Sequence, residues 1–263
     1  ITFIVLISFG VIIESLSIYR IKLLLLYRQV NIPIKKITNI YFRGLFYSNF
    51  LPSIIGGDVP KAILLMKDEP KKKAKICYCC VLDRVYGLVS IVLVLLIGIL
   101  LNGMNYFASF DIEMERVYTY LGIIAFALVT IVGILYLYRI NIYKIMVSNI
   151  SWILDDLLYK PGSNIIALVL SITYQMLIIL IVYLFNLSLL PNPVSFANFM
   201  LITPLVTLIV VLPISINGIG IRENVYGLLL QLSGVSYEYG VALSLMMYCI
   251  LIVESLMGFF LSV

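Results

Sequence analysis

Five stretches of the chain, near 2–19, 82–101, 117–138, 164–185 and 238–261, are apolar almost throughout and long enough for a bilayer-spanning helix, which needs about 20 such residues. Two further stretches, 38–66 and 197–232, are apolar at both ends but broken by Pro, Gly and charge in the middle. The interruptions read Leu51-Pro52-Ser53-Ile54-Ile55-Gly56-Gly57-Asp58-Val59-Pro60-Lys61 and Leu212-Pro213-Ile214-Ser215-Ile216-Asn217-Gly218-Ile219-Gly220-Ile221-Arg222. Aligned without gaps, each has Leu-Pro, a Gly five residues after the Pro and a cation nine residues after it. Pro withholds a backbone donor and Gly permits non-helical dihedrals, so Pro52, Gly56, Gly57, Pro213, Gly218 and Gly220 mark points where backbone groups leave the helical ladder. Such groups cannot face lipid and must be buried in protein or line a wet space. The pattern therefore predicts an all-α polytopic membrane protein. It has about five full spans and two re-entrant or broken helical hairpins, which meet at a central polar cavity. A pair of ordinary Pro kinks is the plainer alternative.

Composition agrees with an integral membrane protein. Of 263 residues, 63% are hydrophobic and 12% charged, too little polar surface for a water-facing exterior. The chain has no His, which removes Ser-His and Cys-His nucleophile pairs and imidazole metal sites. Cys77, Cys79, Cys80 and Cys249 make no disulfide framework, and the C-x-C-C group reads better as packing than as a metal site or an acylation site. No cofactor and no metal site is expected. The chain starts Ile-Thr-Phe inside an apolar segment, so preceding sequence is expected. The whole is read as one membrane domain, 1–263, with a first half at about 1–116 and a second at about 117–263.

Charge sets the orientation. Thirteen of the eighteen cations lie between Arg20 and Arg84, so the basic loops 20–36 and 67–84 are expected on the cytoplasmic side of the cell membrane. The lysines at 71–75 suit an anionic leaflet surface and need no nucleic acid to explain them. Basic segments flank the first hairpin on both sides, which makes it enter and leave from the cytoplasm; the second then enters from outside. Opposite entry makes the two hairpins candidates for an inverted repeat, the arrangement that brings broken helices to a midplane substrate site. Residues 140–160, with Trp152 among apolar positions and Lys144, Asp155 and Asp156 opposite, read as an interfacial amphipathic helix.

Three motifs in order carry a family resemblance: Asn49-Phe50-Leu51-Pro52 leading into Gly56-Gly57-Asp58 and a cation; Asp83-Arg84 followed by Gly87-Leu88; and Leu212-Pro213-Ile214-Ser215 leading into Gly218-Ile219-Gly220-Ile221-Arg222-Glu223. Over about 20–263 the chain resembles the lysylphosphatidylglycerol synthase transmembrane family, a flippase-like membrane domain found alone or fused to lipid-aminoacylating enzymes. The resemblance implies binding or movement of anionic or aminoacylated phospholipids, or of lipid-linked sugars. It also implies a lipid-modifying synthetase or glycosyltransferase as a partner. Pro60 and Lys61 depart from the family pattern, which more often has Arg at the second position, and Lys does not offer Arg's bidentate fork. The aminoacyl-transfer activity of fused members needs a soluble domain and is not carried over, so no enzyme is expected; a homo-oligomer is left open.

The polar residues inside apolar segments are the candidate site, since intramembrane charge is costly. Asp58, Lys61 and Arg84 either orient a headgroup or form a buried ion pair that holds the hairpin. Arg222, at the start of a helix, makes a phosphate site with the free backbone donors there, or pairs with Glu223. Asn217 either hydrogen-bonds a headgroup or supplies the left-handed turn before Gly218. Glu14 and Glu254 suggest proton coupling or helix–helix hydrogen bonding. Rival readings are a secondary transporter for a small anion, a membrane-embedded enzyme acting on lipid phosphate, and a non-transporting partner of a separate enzyme.

Overall fold

The computed structural model describes residues 2–49, 57–102, 161–189, 194–211, 215 and 217–260. The span expected at 117–138, the acidic loop before it and the amphipathic segment at 140–160 lie outside these residues, as do Pro52, Gly56 and Pro213. Residues 1–103 and 165–263 form one compact unit and 104–164 a second. The first unit is described below.

All regular structure among the described residues is helical: α1 (Thr2–Tyr27), α2 (Ile34–Ser48), α3 (Asp58–Asp68), α4 (Lys73–Asn102), α5 (Pro161–Leu189), α6 (Phe196–Val211), α7 (Ile221–Gln231) and α8 (Tyr237–Phe260). By length and composition, segments 70–102, 162–189 and 237–256 can cross a membrane. The first helix is 26 residues long but carries Glu14, Arg20 and Lys22.

Two of the expected loops are mostly helix. α1 runs to Tyr27 and takes in Arg20, because Asp83 neutralises that charge inside the bundle. It stops at a left-handed Gln29 (φ 62°), where Val30 N–H bonds the Leu25 carbonyl at 2.9 Å, a Schellman ending. Similarly, the basic stretch 67–84 is the end of α3, a 3-10 turn at Pro70–Lys72 and the first turns of α4. Cys79 and Cys80 are buried on that helix against Ile21, Leu24, Ile37, Ile76 and Leu65.

Both interrupted stretches are pairs of short helices folded back on each other. α2 and α3 have 15 and 11 residues, and α6 and α7 have 16 and 11; at 1.5 Å per residue each is shorter than the roughly 30 Å hydrocarbon layer. In the first hairpin, Lys36 at the start of α2 pairs with Asp68 at the end of α3 (2.5 Å). Near its tip, Gly44 and Gly57 bring the two backbones so close that a Cβ on Gly57 would strike the Gly44 carbonyl. In the second, Tyr226 hydroxyl reaches Thr203 Oγ1 (3.4 Å) midway along the two helices, and Gly218 lies against Val210 near the tip.

The hairpins open toward opposite ends of α4. The base of the first adjoins the basic start of α4 through the short turn at 69–72. The base of the second meets the other end: Gly98 lies against the backbone of Met200 and Leu201, and Asn102 Nδ2 donates to the Ala197 carbonyl at 2.6 Å. Thirty residues, about 45 Å of helix, separate the two ends.

Candidate functional site

The tips of the hairpins touch. Asn49, the residue that ends α2, accepts a hydrogen bond from Asn217 Nδ2 at 2.8 Å and donates through its own Nδ2 to Ser255 Oγ of α8 at 2.6 Å. Asn217 is buried and has φ 49°, followed by Gly218 and Gly220, each at φ 82°. It therefore supplies the left-handed turn expected before Gly218, and its side chain is used for a bond across the molecule to Asn49 that neither reading of the sequence includes. Asn49 stands in the first motif, but its role as the link was not foreseen; the signal available was an amide beside a predicted break.

On the first-hairpin side, charged residues from three helices form one chain. Arg20 Nε of α1 meets Asp83 Oδ1 of α4 at 2.6 Å, Lys61 Nζ of α3 lies 3.6 Å from the other oxygen of Asp83, and the same ammonium lies 3.0 Å from Asp58 Oδ1. Arg84 Nε pairs with Asp58 Oδ2. Arg20 also donates from Nη1 to Ser171 Oγ of α5 (2.7 Å), whose hydroxyl is free to accept because its own proton goes to the Ala167 carbonyl. Arg20, Lys61 and Asp83 are buried. Lys61 further stacks its ammonium over the Tyr41 ring, 5.3 Å from the centroid.

Local structure explains the placement. Asp58 opens α3, where a carboxylate is favoured by the helix dipole. Pro60 falls in the first turn, where its missing N–H breaks no helical bond. It thus leaves Asp58 and Lys61 one turn apart on one face, and the departure from the family pattern does not disturb the pair. The chain holds three cations and two carboxylates, so with all groups ionised it carries a surplus positive charge. Arg20 escaped the sequence reading as a site residue because the apolar run near 2–19 ends before it; the missed clue was an Arg with more apolar residues, Leu23 to Leu26, beyond it.

Arg222 is arranged differently. It is the second residue of α7, donates from Nη2 to the Asn217 carbonyl (3.1 Å) and lies over the Tyr248 ring, 5.8 Å from the centroid. Glu223 does not pair with it: its carboxylate accepts the Gly220 N–H at 2.6 Å and caps its own helix. Among the described residues Arg222 has no acidic partner. The structure thus brings Asp58, Lys61 and Arg84 together, and joins Asn217 to Arg222 through the turn. The two groups are linked by the Asn49–Asn217 bond and by no ion pair between described residues. Glu14 and Glu254 are both buried.

The family model described as the lysylphosphatidylglycerol synthase TM region matches residues 1–253. No curated protein and no solved structure matches the chain.

Proposed function

The chain belongs to the lysylphosphatidylglycerol synthase transmembrane family, and from that premise we propose that it binds the phosphate-bearing headgroup of a membrane lipid between its two hairpins and passes it from one leaflet to the other. The observation that carries this reading is the contact of two oppositely opening hairpins at Asn49 and Asn217, with the Arg222 guanidinium nearby and without a carboxylate partner among the described residues. A phosphate brought below the interface loses hydration, and an Arg fork beside the first N–H groups of α7 offsets that loss. The net-positive chain on the first hairpin adds long-range attraction for an anion without offering a free fork of its own.

In the mechanism, the headgroup enters beside one hairpin and its phosphate is met by Arg222 while the acyl chains stay in lipid. The Asn49–Asn217 contact then separates or re-forms as access changes sides. An inverted-repeat relation between the hairpins would make the two access states near-mirror arrangements; the opposite openings along α4 support it. The likeness to a lipid-synthase membrane region supports a lipid over a small soluble anion as the cargo, and leaves the headgroup to experiment.

The test places purified protein in liposomes with a headgroup-labelled anionic phospholipid and follows quenching of the outer leaflet. Wild type is expected to speed the loss of protected label, and Arg222→Ala to remove most of that gain. Rates equal to protein-free liposomes for anionic, aminoacylated and sugar-linked lipids alike would end the translocation reading.

A further inference from the structure

Apart from the ion-pair chain, two acidic side chains are buried among the described residues, Glu14 and Glu254. Glu254 of α8 is 6% exposed, and its Oε1 is buried without any hydrogen-bond partner. That oxygen occupies the place a Cβ on Gly10 of α1 would take, so the absence of a side chain at residue 10 is what admits the carboxyl group. Glu14 lies one turn further along α1 on the same face, and helical side chains lean toward the N-terminus, which carries its carboxyl back over Gly10. Glu14 is also buried, and its Oε2 accepts the Tyr41 hydroxyl at 2.6 Å.

Two carboxylates brought together away from water repel each other, and one without a partner has nothing to offset its lost hydration. Binding a single proton removes both penalties and gives Glu254 a donor. The titratable and charged groups facing Glu14 are Tyr41 from α2, Lys61 from α3, Arg84 from α4, Tyr174 from α5 and Arg20 from its own helix. Those within electrostatic reach of Glu254 are Glu14 and Tyr174. Glu14 already accepts the Tyr41 hydroxyl whereas Glu254 Oε1 has no partner, so Glu254 is the carboxyl that gains most from a proton.

We propose that Glu14 and Glu254 form an intramembrane proton-binding site, connected through Tyr41 to Lys61 at the middle of the ion-pair chain. The step is protonation alone: a carboxylate takes a proton from hydronium and leaves water. The connection is physical and short, since the Tyr41 hydroxyl holds Glu14 while its ring carries the Lys61 ammonium, and Lys61 bridges Asp58 and Asp83. Moving the proton changes the charge at one end of this series, and Tyr41 passes the change on to the other.

The test is infrared difference spectroscopy of the purified protein in lipid nanodiscs through a pH titration, following the C=O stretch that a carboxylic acid has and a carboxylate lacks. Wild type is expected to show a buried acid band that disappears reversibly as pH rises. Glu254→Gln is expected to remove that band, and Tyr41→Phe to keep the band but shift its midpoint. Absence of a titrating buried band in wild type overturns the proposal, whatever the variants do. So does a band unchanged in both Glu254→Gln and Glu14→Gln, and an unmoved midpoint in Tyr41→Phe overturns the connection to the ion pairs. No lipid movement is measured, so failure here is separate from failure of the translocation reading.

Discussion

Lys61 and Arg222 hold the same place in the two copies of the interrupted pattern, yet their surroundings are opposite. Lys61 is 5% exposed, sits between Asp58 and Asp83, and belongs to a chain that also holds Arg20 and Arg84. Arg222 has a carbonyl and an aromatic face but no described acid. The nearest candidate, Glu223, is turned to its own helix end. A cation in an apolar setting must be offset by something; on the first hairpin the protein supplies the anions, and on the second the described residues supply only a carbonyl and a ring face. The same sequence signature thus yields a paired cation in one copy and, among the described residues, a cation without an acidic partner in the other; in the proposed function the second is the receptive one.

The largest effect is expected from breaking the ion-pair chain. Asp83→Ala leaves Arg20 buried without its anion and Lys61 with Asp58 alone, and removing one partner of a buried ion pair costs about 3–5 kcal/mol. Thermal unfolding of the purified protein in detergent should show a large loss of stability, whereas a small loss would mean water already screens the chain. Next is Gly57→Ala, which puts a methyl group into the Gly44 carbonyl; overpacking of this kind costs about 1–3 kcal/mol, read by the same unfolding experiment. Asn217→Ala removes the bond to Asn49 and places Ala in a left-handed conformation, for a combined loss of about 1–2 kcal/mol. Asn217→Gly relieves the backbone and keeps only the hydrogen-bond loss, so unfolding of the two variants separates the turn role from the link role.

These same residues show what was legible in the sequence. In each interrupted stretch one helix ends and another begins, at Ser48 and Asp58 and at Val211 and Ile221, and the outer helix ends fall within a few residues of the stretches 38–66 and 197–232. Hydropathy found α5 and α8 nearly to their ends. It ended α1 too early and started α4 too late, because a hydropathy reading treats every charge as a boundary and has no knowledge of a partner such as Asp83, sixty-three residues away. The grouping of Asp58, Lys61 and Arg84 was suggested by proximity in sequence and motif, but Arg20, Tyr41 and Ser171 join it only through tertiary packing. Asn49 pairing with Asn217 joins residues 168 positions apart, and no local pattern carries such a contact.

Smaller effects sharpen the contrast. Lys36→Ala breaks the pair with Asp68 at the base of the first hairpin, where the Lys side chain is 54% exposed. An exposed pair contributes about 0–1 kcal/mol, so the melting temperature should hardly move, in contrast to Asp83→Ala on α4. Arg222→Ala should also leave stability nearly intact, because a single hydrogen bond to the Asn217 carbonyl contributes about 0.5–1.5 kcal/mol.

That separation of stability from binding leads to the most direct test of the account. Equilibrium binding of a headgroup-labelled anionic phospholipid to the purified protein in detergent, against a zwitterionic lipid of the same chains, should be compared for wild type, Arg222→Ala and Lys36→Ala. The account predicts a preference for the anionic lipid that Lys36→Ala retains and Arg222→Ala reduces about tenfold or more, equivalent to about 1.4 kcal/mol, with the fold intact. An unchanged anionic preference in a folded Arg222→Ala protein would contradict it and show that the second hairpin is not the receptive one.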